Sequence, residues 1–289
     1  RPDDAGGMLA GTEASLGLRA SVQLVELPVV VTDSKNEYVR DLEEDDFSII
    51  EDGTEQRIRD LRYETRPITV GLLMDSSGSM ERHIGEARDA AIDFLDALRT
   101  EDRAFVVAFN HNIELLKDFD GGVEEAKEAI GEIRAEGGTI LYDALYFALE
   151  RLRYLREKKV LVLFSDGRDE SQGLESIYPY DITMDMIREV ARRHEVTVYA
   201  IAFRLADSDA LSELTDLTRE TGGRLFTPRD AAQMVNAYLD IAEELKSQYL
   251  VSYVSSNLDL DGLWRKIEVK VNGGDYQVRT REGYYAPKR

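Results

Sequence analysis

The stretch ITVGLLMDSSGSM, residues 68–80, decides how this chain folds. From Ile68 to Met74 it carries no charge, and it then stops at Asp75-Ser76-Ser77-Gly78-Ser79. A short uncharged, mostly apolar run of this kind predicts a strand buried on both faces. Behind it, Ile84, Ala87, Ala91, Phe94, Leu95 and Leu98 recur at helical spacing, which predicts a helix over 81–99. Asp75, Ser77 and Ser79 then fall on the turn from the carboxyl end of a strand into a helix, where open α/β sheets bind ligands. One carboxylate and two hydroxyls on alternate residues, with Gly78 easing the turn, are hard oxygen donors of the type magnesium, manganese or calcium prefers.

Moving outward, the same texture repeats. Apolar runs at 104–109, 159–164 and 196–203 predict further core strands, with short strands at 113–119 and 224–227. Helical spacing covers 123–133, a segment opened by Thr139, then 182–193, 208–221 and 231–247. Such alternation implies a doubly wound, mainly parallel α/β sheet with helices on both faces. On either side the texture is β only: 21–31, 47–50 and 57–63 before it, 248–255, 264–271 and 276–281 after it. Pro28 places the first of these strands at an edge or a bend. Neither β piece has enough strands to stand alone, so the two are expected to form one β-sandwich. The reading is therefore a tail at 1–20, a discontinuous sandwich from 21–66 with 249–289, and an α/β domain at 67–248 inserted into it.

Composition narrows the function classes. Of 289 residues, 36 are basic and 57 acidic, a formal net charge of −21, which argues against a nucleic-acid partner. The absence of cysteine excludes disulfides, thiolate metal sites and cysteine nucleophiles. His83, His111 and His194 are scattered and show no zinc-ligand spacing. No apolar run approaches the ~20 residues of a membrane span. The chain begins at Arg1, which reads as a processed or trimmed start, so composition does not give the compartment.

Two more loops join the first: Thr139 follows Gly137-Gly138 at a helix start, and Asp166 follows the strand LVLFS. All three could converge on one edge of the sheet. In the plain structural reading, Ser77, Ser79 and Thr139 are helix N-caps and Asp166 begins a turn. A phosphatase with an aspartate nucleophile would carry a second acid two residues after Asp75, where Ser77 stands. Neither a Gly-x-Ser-x-Gly elbow nor a phosphate-binding Gly-x-x-x-x-Gly-Lys is present. A metal-dependent hydrolase would need a base such as His111, which nothing in the sequence brings to the loops. Farther on, Asn257-x-Asp259-x-Asp261-Gly262 with Glu268 nearly fits a calcium loop, but strand-like flanks favour a polar hairpin loop. The acidic run 43–46 reads as a solvated connection, and Trp264, Tyr276, Tyr284 and Tyr285 as sandwich core or edge.

Taken together, DSSGS (75–79), GGTILYDAL (137–145) and LVLFSDG (161–167) resemble a von Willebrand factor type A domain with a complete metal-ion-dependent adhesion site. The resemblance spans 67–246 with the three loops in family order. It implies Ser77, Ser79 and Thr139 as hydroxyl ligands, with Asp75 and Asp166 acting directly or through water. It implies a divalent cation, Mg2+ first and Mn2+ or Ca2+ as alternatives, and a protein partner that presents an Asp or Glu carboxylate. The expected role is adhesion or assembly without enzymatic activity; the alternative is a scaffold subunit with a structural ion. The flanks 25–53 and 249–286 resemble those of von Willebrand factor A-related proteins abundant in acidobacteria, which implies an exported, periplasmic or cell-surface protein.

Overall fold

The computed structural model describes residues 23–120, 122–167, 169 and 177–288. The expected tail at 1–20 lies outside the described residues. The chain opens with β1 (Leu24–Thr32), β2 (Phe47–Glu51), β3 (Thr54–Gln56) and β4 (Ile58–Tyr63). The α/β part follows as β5 (Ile68–Asp75), α1 (Ile84–Asp96), β6 (Arg103–Phe109), β7 (Ile113–Lys117), α2 (Gly122–Gly131) and α3 (Leu141–Leu152). It continues with β8 (Lys158–Ser165), α4 (Met184–Arg193), β9 (Val196–Ala202), α5 (Ser208–Glu220), β10 (Leu225–Phe226) and α6 (Ala231–Lys246). The chain closes with β11 (Tyr249–Val254), β12 (Trp264–Val271), β13 (Gln277–Arg279) and β14 (Gly283–Tyr285).

The central sheet has the order β10-β9-β8-β5-β6-β7, parallel except for β7 at one edge. Every residue of β5 is buried, as the uncharged run 68–74 predicts for a strand covered on both faces. One face packs Val70, Leu72 and Met74 against α1, α2 and α6; the other packs Leu73 against α3, α4 and α5. Gly71 is required on that second face. A Cβ there would lie 2.4 Å from Phe105 Cζ and 3.1 Å from Leu161 Cδ1, so the glycine lets the phenyl ring lie across the central strand. The chain runs outward from β5 through β6 to β7, then returns to β8 and runs the other way. The switch point thus falls between the carboxyl ends of β5 and β8, where the sheet leaves a natural crevice.

Segments from both ends of the chain pair in two further sheets, β13-β1-β11-β4 and β14-β12-β2-β3. Their apolar faces share one core, with Leu27 and Val29 of β1 and Val251 of β11 packed against Ile49 of β2 and Ile267 of β12. Glu51 is buried in this core and accepts hydrogen bonds from Tyr253 Oη at 2.6 Å, Ser255 Oγ at 2.6 Å and Tyr284 Oη at 2.9 Å. Pro28 sits where β1 pairs only with β11; the pairing to β13 begins at Val30, so the missing N–H removes no ladder bond on that side.

Several boundaries differ from expectation for local reasons. Residues 78–82 form a 3-10 turn and α1 begins only at Ile84, because the loop that carries Ser77 and Ser79 is tied down elsewhere. Thr139 does not open a helix; α3 begins at Leu141. β3 and β14 are three-residue strands too short to show alternation, and both were missed in the sequence.

Candidate metal centre

Asp75 ends β5 and Ser165 ends β8, brought side by side by the register that pairs Met74 with Phe164. Ser165 Oγ donates to Asp75 Oδ2 at 2.6 Å, and the Ser77 amide donates to Asp75 Oδ1 at 2.9 Å. Asp75 is completely buried, and burial pushes its carboxyl above the ordinary range. The bonds from Ser165 and Ser77 pull the other way, while the nearby Asp166 adds to the rise.

From there the oxygens run in a chain. Ser77 Oγ and Ser79 Oγ are 3.0 Å apart, and Ser79 Oγ donates to Asp166 Oδ1 at 2.8 Å. Ser77 precedes the 3-10 turn, yet its side chain makes no capping bond; α3 likewise has no side-chain cap, its N-cap being Ile140. The hydroxyls therefore face one another instead of satisfying helix ends, contrary to the N-cap reading. Thr139 is buried, makes no hydrogen bond through its hydroxyl among the described residues, and packs against the Asp166–Gly167 turn, where a Cβ on Gly167 would lie 3.6 Å from Thr139 Oγ1.

Backbone hydrogen bonds lash the first two loops together. Gly78 N donates to Gly137 O at 2.9 Å, Glu136 N to Ser76 O at 2.8 Å, and Ser76 N to Phe109 O at 2.7 Å. Ile140 N donates to Asn110 O at 2.8 Å. Gly137 has φ +73°, and a Cβ there would lie 2.0 Å from His111 Nδ1, so both its conformation and its neighbour demand glycine.

Ser77, Ser79, Thr139 and Asp166 line one open depression of about 410 Å3, with Asp75 directly beneath Ser77. Leu205 and Asp207, from the connection between β9 and α5, line it too. Asp207 caps α5, its Oδ1 accepting from the amides of Asp209 and Ala210 at 3.0 Å each. An Asp-Ser pair opening a helix makes the cap legible in the sequence, but nothing local reveals that it borders the loops. His111 packs on Gly137 and is not among the described residues that line the depression. Among the described residues no group of three or more His, Asp or Glu could hold a metal, so an ion here would rely on hydroxyl oxygens. The loop Asn257–Gly262 is closed by protein instead. The Arg265 guanidinium donates to both carboxylate oxygens of Asp261 at 3.0 Å and to Asp259 O at 3.3 Å.

Residues 70–168 match the family model for the von Willebrand factor type A domain. Inter-alpha-trypsin inhibitor heavy chain H4 of Bos taurus is 27% identical over 213 residues, covering 68% of this chain and 22% of the relative. The chain thus spans about a fifth of the length of that relative. A von Willebrand factor type A protein from Catenulispora acidiphila has the same fold over 92% of this chain and 75% of its own, with 13% identity and a TM-score of 0.53. Proximal thread matrix protein 1 from the mussel byssus, solved with a zinc-occupied MIDAS motif, covers 68% of this chain and 50% of its own, with 16% identity and a TM-score of 0.56. Domains of this family are interaction modules, not enzymes. With the parallel sheet, the switch-point loops and the family match in agreement, residues 70–168 belong to a von Willebrand factor type A domain.

Proposed function

We propose that Ser77, Ser79, Thr139, Asp75 and Asp166 hold a divalent cation, and that this site captures an Asp or Glu side chain of a partner protein. The observation that carries the reading is the run of hydroxyl and carboxylate oxygens turned toward one another at 3.0 and 2.8 Å. Adjacent ligands of an octahedral ion bound at 2.0–2.1 Å stand about 3 Å apart, whereas the 2.3–2.6 Å bonds of calcium need wider spacing. Mg2+ is the ion we propose for this hard-oxygen set, with Mn2+ of similar demand. When bound, the ion supplies an electrophilic vertex for an incoming carboxylate. The chain's own residues do the rest: the three hydroxyls add no charge, Ser165 and the Ser77 amide fix Asp75, and the depression stays open on the solvent side.

The rival, a scaffold subunit with a structural ion, draws on the complete burial of Asp75. Asp75→Ala separates the two: loss of partner binding with an intact fold supports capture, and loss of the fold supports the rival. Calorimetric titration with Mg2+, Mn2+ and Ca2+ tests the site itself. One saturable site, lost in Ser77→Ala plus Ser79→Ala, is expected; equal heats from both proteins would remove the ion and the capture mechanism with it.

We read 21–66 with 249–289 as one sandwich unit and 67–248 as the unit inserted into it, supported by strand pairing between the two ends of the chain. An exported location follows from the resemblance of the flanks and agrees with a fold shared with a byssal thread matrix protein. No helix among the described residues is long and apolar enough to cross a membrane.

A further inference from the structure

At the opposite end of the central sheet a cavity of about 120 Å3 lies between the α/β part and the flanking strands. Lys158 and Lys159 line it at the start of β8, the strand whose far end carries Ser165, so roughly 20 Å of strand separates it from the candidate metal centre. Four carboxylates also line it, and each is already in an ion pair: Glu26 with Arg66 at 2.7 Å, Glu157 with Arg103 at 2.5 Å, Glu195 with Arg281 at 2.6 Å and Glu220 with Arg192 at 3.4 Å. Arg156, Lys158 and Lys159 line the same space, and none has a carboxylate within ion-pair distance among the described residues. Lys158 hydrogen-bonds only to the neutral Gln248 Oε1. The Nε–H groups of Arg192 and Arg281 are buried donors without an acceptor among the described residues.

This is an unusual balance for a chain of net charge −21. Lys158 and Lys159 are half-buried, and a partly desolvated cation with no carboxylate in contact is unfavourable, as is a buried N–H without an acceptor. One group relieves both: a compact anion with several acceptor oxygens. Burial already pushes both amines below the ordinary lysine range. The carbonyl ends of α4 and α5 reach the same region and oppose an anion, but Arg192 and Arg193 in the last turn of α4 offset the first of them. The cavity, about 120 Å3, has room for a phosphate-sized group.

We propose that this seam cavity binds a small oxyanion, held by Lys158 and Lys159 with the Nε–H groups of Arg192 and Arg281. Lys158, Lys159, Arg192 and Gln248 belong to the α/β part, and Arg281 to the closing segment. The bound anion would therefore join the two parts and stabilise the folded chain by an amount that grows with the logarithm of the anion concentration above its Kd.

The test is calorimetry in metal-free buffer at constant ionic strength, titrating inorganic phosphate, with sulfate and acetate as separate arms. Sodium chloride at the same ionic strength is the control. Saturable one-site binding of at least one of the three is expected, weakened tenfold or more in both Lys158→Met and Lys159→Gln, and unchanged in Ser77→Ala plus Ser79→Ala. The arm that binds tightest identifies the anion as tetrahedral or carboxylate. Urea unfolding of the anion-free variants serves as the folding control, and Lys159→Gln carries the test if Lys158→Met is destabilised. Absence of saturable heat in every arm overturns the proposal, as do equal affinities in wild type and both lysine variants. Loss of binding only in the serine variant would place the anion at the other end of the sheet and overturn it as well, without bearing on cation binding there.

Discussion

At the residue scale, two glycines do different jobs and predict different failures. Gly71→Ala forces the Phe105 ring off the central strand and should destabilise the chain by about 1–3 kcal/mol, as overpacking does. Its loops are untouched, so Mg2+ affinity, referred to the folded fraction, should stay at the wild-type value. Gly137→Ala instead strains a left-handed residue by about 1–2 kcal/mol and drives a Cβ into His111. Because Gly137 O receives the Gly78 amide, Mg2+ affinity should fall at least tenfold as well. Urea midpoints paired with calorimetry on both variants check the contrast; equal Mg2+ affinity in the two would show that the Gly137 tie does not position Ser77 and Ser79. That Asp75, Ser77, Ser79, Thr139 and Asp166, the donors proposed above, sit on loops was legible because each lies at a break between an apolar run and a polar turn. Leu205 and Asp207 were not, because only the return of the chain through β9 brings their loop to the depression.

At the scale of elements, the caps and ties of the helices carry the testable energies. Asp207→Ala removes the cap of α5 and should lower stability by about 1 kcal/mol, read from the urea midpoint. The last helix, α6, is fastened more heavily. Glu244 on it is completely buried, receives Tyr199 Oη at 2.9 Å and pairs with Arg279 of β13. Arg279→Met leaves that carboxylate without its cation and should cost about 3–5 kcal/mol, and Glu244→Gln in the same chain should recover part of it. A double-mutant cycle measures both, and additive losses would mean that the pair contributes nothing beyond its members. Helix α6 itself was readable from its apolar spacing. That its acids anchor the closing strands was not, since the partners stand 35 residues apart in the chain.

For the whole molecule, the seam between the two parts should show in the pH dependence of stability. Burial holds Lys158 at about 8, against 10.5 in the unfolded chain; Glu64 and Asp102 work to raise it, and Arg66 and Arg99 to lower it. Between those values the unfolded chain binds the extra proton, so this residue's contribution to stability rises with pH from about 8 to 10.5 and its penalty is complete below 8. Comparing urea midpoints at pH 7.5 and 9.5, wild type should gain on Lys158→Met over that interval. A parallel pH dependence in both proteins would mean that Lys158 keeps an ordinary amine.

The sequence by itself determined the order of the helices and of every strand but β3 and β14, the doubly wound class and the residue types at the three loop breaks. These follow from period and punctuation, which are local properties of the chain. Tertiary structure alone decided that the Ser77 hydroxyl turns to Ser79 and the Ser79 hydroxyl to Asp166, and not to helix ends. It also set Asp207 beside them, closed the Asn257–Gly262 loop with Arg265, and left Lys158 and Lys159 on a seam whose four carboxylates are paired with arginines. Those outcomes depend on distances between segments far apart in the chain. Such distances are set by how the sheets and helices pack, and no spacing along the sequence encodes them.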